Sequence, residues 1–134
     1  IHKDLMRQFR IAPYHVIFSD KEAADSVMRF MDQVRVPLQA LQGMDYFRKN
    51  DFHTYRHMLM ISALSTLIAR NMQPEHIKLD REELAGTGPT HDIGKITVPL
   101  EILLKKKPLT HREFDVMRHH ALAGYVLLCN YLQD

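Results

Sequence analysis

No stretch of this chain alternates apolar and polar residues over the four or more positions that a half-buried strand requires. Five glycines and six prolines are its only strong breakers, spread over 134 residues. Between them, apolar residues recur at three- and four-residue intervals, the period of a helix with one buried face. An all-α fold is therefore expected, built as a helical bundle. No apolar run approaches the roughly 20 residues that a membrane helix needs, so membrane insertion by this segment is not expected.

The expected helices follow from their start and stop signals. Ser19, three residues before Glu22, has the form of a capping box and opens a helix to about Arg35, ahead of Pro37. Val27, Met28, Phe30, Met31 and Val34 give it an apolar face. Leu38 to Arg48 is a further short helix. Asp51 caps a long helix to about Asn71, on which His57, Ile61, Leu64 and Ile68 form a stripe expected to face inward. Pro74 breaks the pattern, Asp80 with Glu83 starts another short helix, and Gly86-Thr87-Gly88-Pro89 is expected to interrupt it before His91. Val98 to Leu104 forms a short apolar helix. Thr110 and Glu113 make a second capping box for a final helix. Its Phe114, Met117, Ala121, Gly124, Leu128 and Tyr131 repeat at 3-4-3-4-3 spacing and are expected to face the core.

Charge narrows the partners. Eighteen basic against sixteen acidic side chains leave a net charge of +2, too little for nonspecific DNA binding. Lys105, Lys106 and Lys107 read as a solvated loop, and the eight methionines as core filler. The single Cys129 can form no internal disulfide and fits a cytoplasmic location.

Nine histidines are many for this length. His57 lies on the expected inward stripe, His91 precedes Asp92, and His120 lies among the small residues Ala121, Ala123 and Gly124. Imidazoles from separate helices, with an adjacent carboxylate, can converge in a bundle core, which is how bundles build metal sites. Neutral imidazoles hold a divalent transition metal, and a carboxylate can bridge two ions. Such ions lower the pKa of a shared water and clamp a phosphate for in-line attack. Hydrogen-bonded core histidines are the other reading of His57 and His120, and the residues alone leave both open.

The run His91-Asp92-Ile93-Gly94-Lys95-Ile96, with Pro99, Ile102-Leu103, Lys105, Leu109-Thr110, Glu113-Phe114, Met117 and His120, resembles the HD-GYP family. These are bacterial HD-type metal-dependent phosphohydrolases that hydrolyse the second messenger cyclic di-GMP. The 29-residue separation of His91 and His120 is part of the likeness, and Asp51-x-x-Thr54-x-x-His57 resembles the start of the family's first metal-binding helix. The likeness spans roughly residues 45 to 132.

The resemblance implies that His57, His91 and Asp92 hold one metal, and that Asp92 bridges to a second, also bound by His120. It further implies that Asp92 and Lys95 are the catalytic residues, with Lys95 contacting a substrate phosphate. Two or three divalent metals, iron or manganese, and a cyclic dinucleotide substrate follow from it. His53 shares a face with His57 and could add a ligand; an exposed first-turn histidine is the plainer reading. The family's later His-His-Glu segment, its Gly-Tyr-Pro loop and its last Asp ligand have no counterpart before Asp134, and Gly124-Tyr125-Val126 is not that loop. The chain, which begins at Ile1, is accordingly expected to be part of a longer protein. Residues 51–134 would be a partial HD-GYP-type domain that is weakly active or inactive alone. Residues 1–50 would be a helical linker, accessory or dimerisation segment, with other signalling domains in the same protein. A generic HD phosphohydrolase acting on another nucleotide and a non-catalytic signalling module are the alternatives.

Overall fold

The computed structural model describes residues 1–33, 38–71, 87–88 and 90–131. These residues are mostly helical, with no strand among them, so the fold is all-α. The helices are α1 (His2–Gln8), α2 (Tyr14–Phe18), α3 (Lys21–Gln33), α4 (Leu38–Asn50), α5 (Phe52–Asn71), a 3-10 helix (Ile93–Thr97), α6 (Leu100–Leu103), α7 (His111–Arg118) and α8 (His120–Tyr131). Among the described residues, no helix is long and apolar enough to cross a membrane. The helix expected from Asp80 and Glu83, and the break expected at Pro74, lie outside the described residues.

The chain divides into two compact units. The first comprises Ile1–Arg35 and Leu59–Gly88. Its core includes Leu5, Val27, Leu59 and Ala63, each fully shielded from solvent, and the stacked rings of Phe9 and Phe18, whose centroids lie 3.9 Å apart. Each large side chain enclosed this way contributes about 1.5–3 kcal/mol. α1 and α2 carry no distinct sequence signal and were not anticipated. The α3 cap also differs from expectation: Asp20, not Ser19, receives the backbone N–H of Glu22, at 2.9 Å. The Ser19 hydroxyl instead donates to the Val16 carbonyl and closes α2.

The second unit comprises Val36–Met58 and Pro89–Asp134. Ala40, Met44, Phe47, Tyr55, Met58, Ile93 and Val98 form its buried centre. Asp51 caps α5 as expected, its Oδ1 accepting the backbone N–H groups of His53 and Thr54, each at 3.2 Å. Thr110 caps α7 in a complete capping box: its hydroxyl accepts from the Glu113 N–H, and the Glu113 carboxylate accepts from the Thr110 N–H.

Three expectations are corrected. The buried stripe of α5 runs through Tyr55, Met58, Leu59, Ser62, Thr66 and Ala69, whereas Ile68 is exposed and Ile61 and Leu64 are only partly covered. The helix is apolar around much of its circumference, so periodicity alone admits more than one face. Its buried hydroxyl at Thr66 is satisfied internally, by donation to the Ser62 carbonyl at 2.8 Å. Secondly, within the stretch expected to interrupt the chain, Thr87 and Gly88 are helical, as is Thr90, while Gly86 and Pro89 lie outside the described residues. Gly88 serves close packing: a Cβ there would lie 2.4 Å from the Ser62 Cα.

The third correction concerns the final helix, which is two helices parted at His119. The imidazoles of His119 and His120 pair with the Asp115 and Met117 carbonyls at the end of α7. Of the expected core stripe, among the residues whose burial the structure describes, Gly124 alone is buried; Met117 and Leu128 are partly covered, and Phe114 and Ala121 are exposed. α8 is apolar all round, so a three-four spacing can be drawn on any of its sides.

Candidate metal centre

Every side chain of the candidate site belongs to the second unit. His57 comes from the second turn of α5. His91 and Asp92 come from the turn leading into the 3-10 helix, Lys95 from that helix, and His120 from the first residue of α8. The 3-10 helix packs chiefly on α8, with α4 as its second support. Its contact with α8 is backbone on backbone. A Cβ on Gly94 would fall 1.9 Å from the His120 carbonyl oxygen and 2.4 Å from the Gly124 nitrogen. Two glycines therefore let the strand of chain carrying Asp92 lie directly against the helix carrying His120.

Asp92 is the centre of the arrangement and is buried, its residue surface 5% exposed. Its Oδ2 lies 3.3 Å from His91 Nε2, 3.6 Å from His57 Nε2 and 2.7 Å from Lys95 Nζ. Its Oδ1 lies 3.4 Å from His120 Nε2. His57 Nε2 and His91 Nε2 are themselves 3.2 Å apart, with the rings edge to face. Ligand atoms of His57, His91 and Asp92 all fall within 4.8 Å of one another. The structure thus brings His57, His91, Asp92, Lys95 and His120 together. His53 it leaves outside this set, exposed on the cleft beside Lys95. His57 itself is partly exposed rather than buried in an inward stripe, and sits at the rim of the centre.

The protonation pattern suits a cation. His120 Nδ1 lies 2.6 Å from the Met117 carbonyl, which can only accept, so Nδ1 carries the proton and Nε2 presents its lone pair toward Asp92. This orienting carbonyl leaves no mark in the sequence. Burial is the largest influence on His57 and holds its pKa below the ordinary value; the Asp92 carboxylate opposes this, while His91 and Lys95 reinforce it. Burial also works against ionisation of Asp92. The hydrogen bonds from His91 and Lys95, with their charges, outweigh it and hold the carboxyl well below the usual range. An ionised carboxylate and imidazole nitrogens converging on one small volume are a donor set that fits a divalent transition metal.

A cleft of about 320 Å³ adjoins the centre, with Lys95 as part of its lining. Asp51, His53 and Thr54 at the start of α5 form one side, and Leu103, Leu104 and Met117 another. Lys105 is held by Glu113 at 2.5 Å.

The HD domain family profile matches residues 54–134. The chain is 33% identical over 109 residues to a cyclic di-GMP phosphodiesterase of Thermotoga maritima, covering 81% of this chain and 28% of that protein. It is 31% identical over 124 residues to a cyclic di-GMP phosphodiesterase of Pseudomonas aeruginosa, covering 92% of this chain and 30% of that protein. A response regulator from Xanthomonas campestris, also named a cyclic di-GMP phosphodiesterase, is 42% identical over 57 residues, covering 40% of this chain and 15% of that protein. The chain thus spans less than a third of the length of these relatives. No solved structure matches it.

Proposed function

The chain belongs to the HD domain family, as an HD domain of the HD-GYP type, and we propose that it is the metal-binding part of a phosphodiesterase that hydrolyses cyclic di-GMP in bacterial second-messenger signalling. The observation that carries the reading is the meeting of His57, His91 and His120 around the buried carboxylate of Asp92. HD domains bind divalent metals. His57, His91 and Asp92 would hold one ion and Asp92 with His120 a second, iron or manganese in each case. When bound, such ions supply Lewis-acid activation of water and of a phosphodiester.

The chain's own residues have separate tasks. Asp92 stays ionised at neutral pH and so gives the centre its negative charge. Partial burial lowers the pKa of His57, which favours the neutral imidazole that a metal requires. The Met117 carbonyl fixes the tautomer and orientation of His120. Lys95, 2.7 Å from Asp92 and lining the cleft, holds an ammonium where a phosphoryl oxygen would gain negative charge, the place for electrostatic stabilisation of the transition state. Ligands beyond this set would come from sequence outside residues 1–134. Residues 1–50 would act as a linker or dimer surface to other signalling domains, in a cytoplasmic protein.

The test is hydrolysis of cyclic di-GMP by the full-length protein and its Asp92→Ala variant, with folding followed by circular dichroism. A folded variant without turnover supports the assignment, and undiminished turnover defeats it.

A further inference from the structure

Lys95 faces two ways. Asp92 immediately precedes the 3-10 helix, and the Lys95 N–H donates to the Asp92 carbonyl at 3.0 Å. Residues three apart eclipse in such a turn, which sets the Lys95 side chain over the Asp92 carboxylate. Its ammonium donates to Asp92 Oδ2 at 2.7 Å, the length of a charge-assisted hydrogen bond. Two imidazoles converge on that same oxygen, with His91 Nε2 at 3.3 Å and His57 Nε2 at 3.6 Å. A metal held by Oδ2 therefore shares it with the ammonium. The Lys95 side chain is also 21% exposed and lines the cleft of about 320 Å³. The cleft's other ammonium, that of Lys105, is paired with Glu113 instead. One side chain thus reaches both the oxygen that a metal would use and the cleft beside it.

We propose that Lys95 competes with the metal for Asp92: it holds down the affinity of the His57–His91–Asp92 site, and a phosphodiester anion that draws its ammonium into the cleft raises that affinity. The inference rests on the metal-centre reading and adds to it a coupling between metal and substrate. Like charges that share one oxygen in a partly buried site repel, and the repulsion doubles for an ion of charge two. Pairing the ammonium with an anion cancels part of it. By linkage, a bound metal then raises the affinity for the anion by the same factor. Neither ligand has to touch the other, because the lysine carries the coupling. Full loading of the centre is thereby tied to the presence of a phosphodiester.

The experiment is equilibrium dialysis of Mn²⁺ against the full-length protein, with and without dimethyl phosphate, a small hydrolysis-resistant phosphodiester anion. Lys95→Met removes the charge and should bind its tightest Mn²⁺ about tenfold more strongly than the wild type, the part of the repulsion that solvent leaves unscreened. Lys95→Gln still offers an N–H to Asp92 without the charge and should do the same. Lys95→Arg keeps the charge and should match the wild type. Dimethyl phosphate should strengthen Mn²⁺ binding by about fivefold or more in the wild type, and by less in Lys95→Met. Circular dichroism confirms that each variant is folded. Unchanged or weaker Mn²⁺ binding in Lys95→Met and Lys95→Gln would mean that Lys95 only positions Asp92, and overturns the proposal. An equal effect of dimethyl phosphate on the wild type and Lys95→Met also overturns it. The two readings fail separately. The predicted differences in Mn²⁺ binding, without hydrolysis of cyclic di-GMP by the loaded wild type, defeat only the phosphodiesterase. Hydrolysis by the wild type with unchanged Mn²⁺ affinity in Lys95→Met defeats only the competition, and protein that binds no Mn²⁺ in any form defeats both.

Discussion

Replacing Gly94 by alanine tests how the centre is assembled. The new methyl carbon would lie 1.9 Å from the His120 carbonyl oxygen and 2.4 Å from the Gly124 nitrogen, and both obstacles are backbone. To restore ordinary contact, α8 must retreat by about 1.5 Å. His120 Nε2, now 3.4 Å from Asp92 Oδ1, would move with it, out of reach of any ion that Asp92 holds. The expected cost in stability is about 1–3 kcal/mol, typical of overpacking. A displacement of this size in a reacting centre lowers turnover about 100-fold. Gly124→Ala is the control. Its added carbon would approach nothing closer than the Gly94 nitrogen, at 3.3 Å, and the substitution gains about 1 kcal/mol of helix propensity. Urea unfolding, metal content after loading, and hydrolysis by the full-length protein should all separate the two variants. A Gly94→Ala protein with the wild-type urea midpoint and full metal content would refute the close-packing argument.

Three further outcomes follow from the same structure. Glu113 is held at a pKa of about 2, first by its hydrogen bond from Lys105 and then by the Thr110 N–H. Because the folded value lies below the unfolded one, this stabilisation is present above about pH 4.5 and is lost as pH falls toward 2. Urea midpoints measured across that window should fall less in Glu113→Gln than in the wild type, and parallel curves would contradict it. Thr110→Ala removes the other half of the capping box and should cost about 0.5–2 kcal/mol in urea unfolding, with amide exchange accelerated in the first turn of α7. Gly88→Ala would force a carbon to 2.4 Å from the Ser62 Cα and should destabilise the first unit by about 1–3 kcal/mol in the same assay.

What could be read from the sequence follows from how local each cause is. The caps at Asp51 and Thr110 act over three residues and were legible, as was the all-α class; His57, His91, Asp92 and His120 were singled out by the family resemblance, since the residues alone left core histidines as an equal reading. Ser19 was mistaken for a cap because Asp20, the next residue, has an equally suitable side chain. The faces of α5 and α8 were not legible, since both helices are apolar around most of their circumference and burial there is decided by packing partners distant in sequence. Gly88 and Gly94 show the same limit. A glycine that breaks a helix and a glycine that lets two backbones touch look alike until the neighbouring segment is known. The Met117 carbonyl that orients His120 is a main-chain group and leaves no mark in the sequence at all.

The central claim is that His57, His91, Asp92 and His120 gather around bound cations. Anomalous diffraction from crystals of the full-length protein, loaded with iron or manganese without oxygen, tests this directly. The account predicts a peak within bonding distance of His57 Nε2, His91 Nε2 and an Asp92 oxygen. A loaded crystal with no peak there, or with its only peak elsewhere, would contradict it.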